Sequence, residues 1–188
     1  DLVQTSHGKI QAELVIHTAG WSLVGSLPWA NEKLYPVRVQ HLCQRSQGHT
    51  LVEPMVLQYG HSWARPLGPD AILSGGCRWA TPHLEVGETN EECLSEAVQE
   101  RIIARSQALF SVEPSAPVTH HWAQITTHTC DGLPFVGAIP GSARQLVCTG
   151  WNGRPWSMAL ALGELVAAGI LGEDTDPIPA CMNSYRMI

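Results

Sequence analysis

An apolar run, Leu146-Val-Cys-Thr149, halts at Gly150, turns through Gly150-Trp-Asn-Gly153, and gives way to an Ala- and Leu-rich segment. The run is short enough for a strand, the glycines permit a tight turn, and the segment from Ser157 to about Leu171 reads as helix. Strand, turn and helix start aim backbone N–H groups at one point, which suits an electron-rich ligand. The same pattern also serves an ordinary strand–turn–helix that uses its glycines only for their backbone freedom. The helix carries little polar besides Glu164 and is therefore expected to be buried, with Gly172 ending it. Upstream, Asp131-Gly-Leu-Pro134 reads as an Asx turn with a structural role, leading into a short apolar strand.

The rest of the chain alternates short strands with turns. Leu2–Thr5 and Ile10–Ala12 flank the Ser6–Lys9 turn, and Leu14–Thr18 is a continuous apolar strand broken by Gly20. Residues 22–33 read as loop. Leu34 to Val86 reads as an antiparallel meander, with strands at 51–57, 71–73 and 79–84, the first bulged or at an edge because of Pro54. Thr89-Asn-Glu-Glu92 has the form of a capping box. It opens one amphipathic helix to about Phe110 with Leu94, Val98, Ile102 and Leu109 on one face. Ser111–Pro117 is a linker. The whole reads as an α+β fold.

Composition excludes several functions. The net charge is −6 and the 11 Lys and Arg residues are scattered, which argues against nucleic acid. No run of 18 apolar residues exists, so no membrane helix is expected, and no signal pattern opens the chain. The six cysteines form no C-x-x-C pair and sit mostly in apolar settings, which favours thiols in a reducing, cytoplasmic compartment. His120, His121, His128 and Cys130 match no metal-ligand spacing, and no Ser-His-Asp or paired-carboxylate constellation appears, so no metal ligand and no catalytic side chain is assigned. Charged residues make up only 15% and there are seven tryptophans, a surface that suits a partner.

Four further segments carry a family resemblance. Ile10–Trp21 (IQAELVIHTAGW) resembles the last strand of the FAD domain of FAD-dependent amine and amino-acid oxidases, the D-amino-acid oxidase and glycine or sarcosine oxidase superfamily. Pro36–Gln40 (PVRVQ) resembles that family's P-V-R-G-Q, which opens its substrate-domain sheet. Ala71–Arg78 (AILSGGCR) resembles a strand ending in Gly-Gly-x-Arg. Asp176–Pro179 and Ser184-Tyr-Arg186 resemble its terminal proline turn and S-x-R ending.

The resemblance implies pieces of an FAD-binding α/β domain at 1–27 and 118–188 around a substrate-binding domain at 28–117. It implies Ala19, Gly20, Trp21, Gly150, Trp151, Asn152, Gly153, Arg154 and Trp156 as neighbours of FAD. Two departures stand out. The family's G-x-x-G-H-G is here Gly150-Trp-Asn-Gly-Arg-Pro155, and proline removes one N–H. The family's W-x-G-L-R-P, whose arginine grips a substrate carboxylate, is here Trp122-Ala-Gln-Ile-Thr126-Thr127. Threonine cannot make that grip, which leaves an amine substrate, or an amino acid held by Arg38 or Arg78. The G-x-G-x-x-G fingerprint that seats the FAD pyrophosphate is absent. The expected activity is oxidation of a C–N bond by the C-terminal portion of a flavoenzyme, with oxygen reoxidising FAD and the other half lying in the same larger protein or in a partner chain. The alternative is a non-catalytic remnant or structural subunit of the same fold.

Overall fold

The computed structural model describes residues 2–58, 61–173 and 176–186. The chain divides into two compact units, Asp1–Tyr35 with Thr126–Ile188, and Pro36–Ile125. These cuts fall eight residues beyond the boundaries read from the sequence: Ala30 and Leu34 tie residues 28–34 to the core of the first unit, and the second cut falls inside a long strand, Val118–His128.

In the first unit, β1 (Leu2–Thr5) and β2 (Gly8–Gln11) make an antiparallel hairpin. A separate three-stranded sheet has the order β3 (Val15–His17), β10 (Gln145–Thr149), β9 (Phe135–Ala138). β10 pairs parallel with β3 and antiparallel with β9. One core gathers Leu23, Ala30, Leu34, Phe135, Ile139 and Val147, with Trp29 meeting Phe135 edge-on at 4.9 Å. The segment 22–33, read as plain loop, carries two short 3-10 turns, Gly20–Leu23 and Pro28–Ala30, which deliver Leu23 and Ala30 to that core.

Helix α2 (Pro155–Leu171) overturns the expectation of full burial. Only Leu162 and Val166 are buried, against Val136 and Cys148, while Trp156, Leu160 and Leu171 are 98%, 78% and 72% exposed. An apolar circumference states what a helix can bury, not what this unit has to cover it.

The second unit holds a sheet of order β5 (Met55–Leu57), β6 (Ser62–Pro66), β7 (Ala71–Gly76), β4 (Tyr35–Arg45), β8 (Val118–His128). The pairs β5–β6, β6–β7 and β7–β4 are antiparallel. Helix α1 (Glu96–Phe110) covers one face through Val98, Ile102, Ser106 and Phe110. Leu109 is exposed, so the helix lies rotated from the expected face. Its N-cap is Ser95, not Thr89. Gln40 Oε1 accepts from Ser95 N, and Arg38 donates to Asn90 O, so tertiary bonds hold 89–95 as coil. Residues 79–84, expected as strand, form a 3-10 turn (Arg78–Ala80) and bends after the left-handed Cys77. The expected strand 51–57 is reduced to β5, which starts only after Pro54.

Candidate functional site

The parallel pairing of β3 and β10 makes their carboxyl ends finish side by side, Val147 opposite His17. Open sheets bind ligands beyond the carboxyl ends of such strands. β3 continues into Ala19-Gly20-Trp21, and β10 into the turn Gly150–Gly153. Both turns rest on Thr127. A Cβ on Gly20 would lie 2.9 Å from Thr127 Oγ1, and Asn152 N donates to Thr127 O at 3.1 Å.

Asn152 is the internal knot of the second turn. It has φ +53°, a left-handed conformation that asparagine tolerates better than most residues. Its Oδ1 accepts from Thr129 N at 2.9 Å, and its Nδ2 donates to Gly150 O and to Thr129 Oγ1. Thr129 Oγ1 donates onward to Leu133 O at 2.8 Å. Gly150, at φ +75°, has room for no side chain, since a Cβ would stand 2.5 Å from Thr129 Cγ2. Trp151 turns its ring into the core with Val136, Cys148, Leu162 and Val166.

The residues expected beside a cofactor therefore separate into two sets. Gly20, Gly150, Trp151 and Asn152 build the turns. Ala19, Gly153, Arg154 and Trp156 are exposed at their rim, and Trp21 is half-buried. Gly153, at φ +76°, would meet nothing within 4 Å if it bore a Cβ. Arg154 is the N-cap of α2, and Ser157 Oγ donates to its carbonyl at 2.9 Å. Among the described residues the backbone N–H groups of Gly153 and Trp156 make no hydrogen bond. Two free donors at a helix start, an exposed guanidinium and a glycine-lined opening fit the electron-rich edge of a flavin. Pro155 is the one position there that offers no donor.

A clamp on the other side of Thr129 went unread in the sequence. Arg186 donates through Nε to Asp131 Oδ2 at 2.6 Å and through Nη2 to Oδ1 at 3.0 Å, and also to the carbonyls of Leu133 and Pro134. Its guanidinium lies 3.8 Å from the Phe135 ring centre. Ser184 Oγ donates to Ala138 O. The Arg186 guanidinium holds the Asp131 carboxyl far below the usual carboxylate range over the opposing desolvation, with the Leu133 N–H and Thr129 hydroxyl adding to its effect. Asp131 is thus structural. Thr127 and Thr129 were missed as well, although the alternation through Thr127 and Thr129 was a visible signal.

The three expected substrate contacts are placed differently. Arg38, in the second unit, is buried and paired with Glu85 through Nε–Oε2 at 2.5 Å, and Gln40 Nε2 shares that oxygen at 2.7 Å. The bond to Glu85 raises the Arg38 pKa over the opposing effect of burial. Arg78 Nη1 donates to Leu84 O at 2.8 Å. Both arginines bond to the 78–90 loop, Arg38 through Glu85 and Asn90 and Arg78 through Leu84. Thr126 Oγ1 meets His128 Nε2 at 3.0 Å.

The comparisons bear on this geometry. The family model described as "FAD dependent oxidoreductase" (DAO) matches residues 1–168. The bifunctional protein MnmC of tRNA 5-methylaminomethyl-2-thiouridine biosynthesis from Paracidovorax citrulli is 30% identical over 97% of this chain and 31% of its own length. Glycine oxidase from Bacillus licheniformis is 26% identical over 90% of this chain and 44% of its own. The crystal structure of glycine oxidase from Geobacillus kaustophilus superposes with a TM-score of 0.81 at 21% identity, over 100% of this chain and 49% of that one. The chain thus spans less than half the length of these relatives. With a family model covering most of its residues and the same fold in a solved relative, the chain belongs to the FAD dependent oxidoreductase (DAO) family.

Proposed function

We propose that this chain forms the C-terminal portion of an FAD-dependent oxidoreductase that oxidises a C–N bond of an amine or amino acid. The observation that carries this reading is the convergence of the Gly20 and Gly150–Gly153 turns on Thr127, with Gly153 left open before α2. Gly153 N, Trp156 N and the Arg154 guanidinium would face the electron-rich edge of the cofactor, and Ala19 and Trp21 would border it. Thr127, Thr129 and Asn152 would hold those groups in place without touching it. Bound there, FAD would supply the hydride acceptor, and little acid–base help from side chains is needed for that chemistry. The second unit would serve as the substrate-recognition part. The pyrophosphate-binding fingerprint would come from a segment outside this sequence, in the same polypeptide or in a partner chain. No helix among the described residues is long and apolar enough to cross a membrane, and Cys43, Cys77, Cys93, Cys148 and Cys181 form no disulfide. Free thiols accord with a reducing cytoplasm.

A second reading is a subunit of the same fold that no longer catalyses. Thr126 in place of an arginine, Pro155 in place of an N–H donor, and the engagement of Arg38 with Glu85 favour it. Gel filtration with FAD separates the readings. The chain alone is expected to pass without retaining yellow flavin, and to retain it once a companion segment bearing G-x-G-x-x-G is added. Tight retention by the chain alone overturns the half-enzyme reading. No retention in either mixture favours the non-catalytic subunit.

A further inference from the structure

A row of rings crosses one face of the sheet in the second unit. On the α1 face, Gln40 Oε1 accepts from Gln99 Nε2, Leu42 packs on Val98 and Ile102, and Ser74 Oγ meets Ser106 Oγ. Ala64 joins Phe110 there. Side chains alternate along strands, so Trp63, Gly75 and His41 share the opposite face. The register aligns them, Trp63 with Gly75 across β6–β7 and Gly75 with His41 across β7–β4. Trp122 on β8 extends the row. Its ring centre is 5.2 Å from that of His41, and the Trp63 ring is 5.4 Å from His41 on the other side.

Gly75 is the reason the rings close up. A Cβ there would stand 2.5 Å from His41 Nδ1 and 2.8 Å from the Trp63 ring. His41 is 6% exposed and its Nδ1 has no hydrogen-bond partner. Burial pushes this imidazole down to about 4, so it is neutral at pH 7 and adds no positive charge between the indoles. Trp63 is half-buried and Trp122 is 38% exposed, which leaves π surface accessible. Indole is the aromatic group that attracts organic cations best. Of the two arginines expected to hold a carboxylate, Arg38 is engaged by Glu85 and Arg78 donates to Leu84 O. Arg65 shares the open face, opposite Leu73 on β7.

We propose that the Trp63–His41–Trp122 row receives the alkyl-substituted, positively charged nitrogen of an amine that carries no carboxylate, held by cation–π attraction to the two indoles. This rests on the reading of the second unit as the substrate-recognition part, and it narrows "amine or amino acid" to the first. The test is titration calorimetry on the chain without flavin, using choline, its uncharged isostere 3,3-dimethylbutan-1-ol, and glycine betaine. Choline is expected to bind about tenfold more tightly than the isostere, and betaine no more tightly than choline. Trp122→Leu should weaken choline about fivefold while Trp122→Phe keeps most of the affinity. Trp63→Leu should act in the same direction, and thermal melts confirm that each variant is folded. Equal binding of choline and isostere overturns the proposal, as does an unchanged choline affinity in Trp122→Leu. Tighter binding of betaine overturns it too, by showing that a cation such as Arg65 reads a carboxylate. On the proposed reading flavin contacts the first unit and choline the second, so the two outcomes are distinguishable.

Discussion

Arg186 shows what a single residue does in this fold and why the sequence only half disclosed it. The Asp131 turn and the Ser184-Tyr-Arg186 ending were each visible as motifs. That they are one device was not, because 55 positions separate the partners and no local pattern encodes a tertiary ion pair. The carboxylate keeps 31% of its side-chain surface in water, so screening reduces the value of the pair. Asp131→Asn is expected to cost about 1 kcal/mol at neutral pH, mainly through the weakened grip on the 131–134 turn. The pH dependence follows from the depressed folded-state pKa. The stabilisation is fully present above the unfolded-state value of about 3.9 and is lost as pH falls from there toward the lower folded value. Urea melts of both proteins at pH 7, 4 and 3 should therefore show a gap that holds at pH 7 and narrows at pH 3. A gap that widens on acidification would mean that Asp131 is not stabilised as an anion.

At the scale of elements, local signals located the pieces and tertiary partners moved their edges. The strand–turn–helix at 145–171 was legible because each part obeys its own period and the glycines punctuate it. The start of α1 was not. Thr89 and Glu92 satisfy the capping-box pattern, but Gln40 captures Ser95 N and the helix begins there. The Gly75-Gly76 pair was legible as an element but its purpose was not, since only the register places His41 and Trp63 over Gly75. The two glycines differ in kind. Gly76 is at φ +97° and would press a Cβ against the His61 carbonyl, whereas Gly75 meets side-chain rings. Gly75→Ala must therefore push His41 and Trp63 apart, at about 1–3 kcal/mol for overpacking. The chain should remain folded with a lowered melting temperature and an altered near-UV signal from the tryptophans. An unchanged near-UV spectrum would mean that the rings do not depend on the missing Cβ.

For the whole molecule, the family was legible from four weak segments in the right order, and the missing fingerprint was legible as an absence. The exposed side of α2 was not, because an apolar helix announces burial without naming the surface that provides it. Trp156, Leu160, Gly163, Ala167 and Leu171 follow helical spacing along that side, away from Leu162 and Val166. A contiguous apolar side of this kind marks a contact surface, and relatives more than twice as long have further chain with which to cover it. On the proposed reading, the covering segment is the one that carries the dinucleotide fingerprint. Leu160→Glu separates this from a role inside the chain. Leu160 is 78% exposed, so the substitution should shift the stability of the chain alone by no more than about 0.5 kcal/mol. In the presence of the companion segment it places a charge where apolar area should be buried, a loss of about 1.5–3 kcal/mol, or at least tenfold in affinity. Sedimentation of the mixture should show the weakened association, and flavin retention should fall in parallel. If association survives the glutamate unchanged, the companion segment does not cover this side of α2.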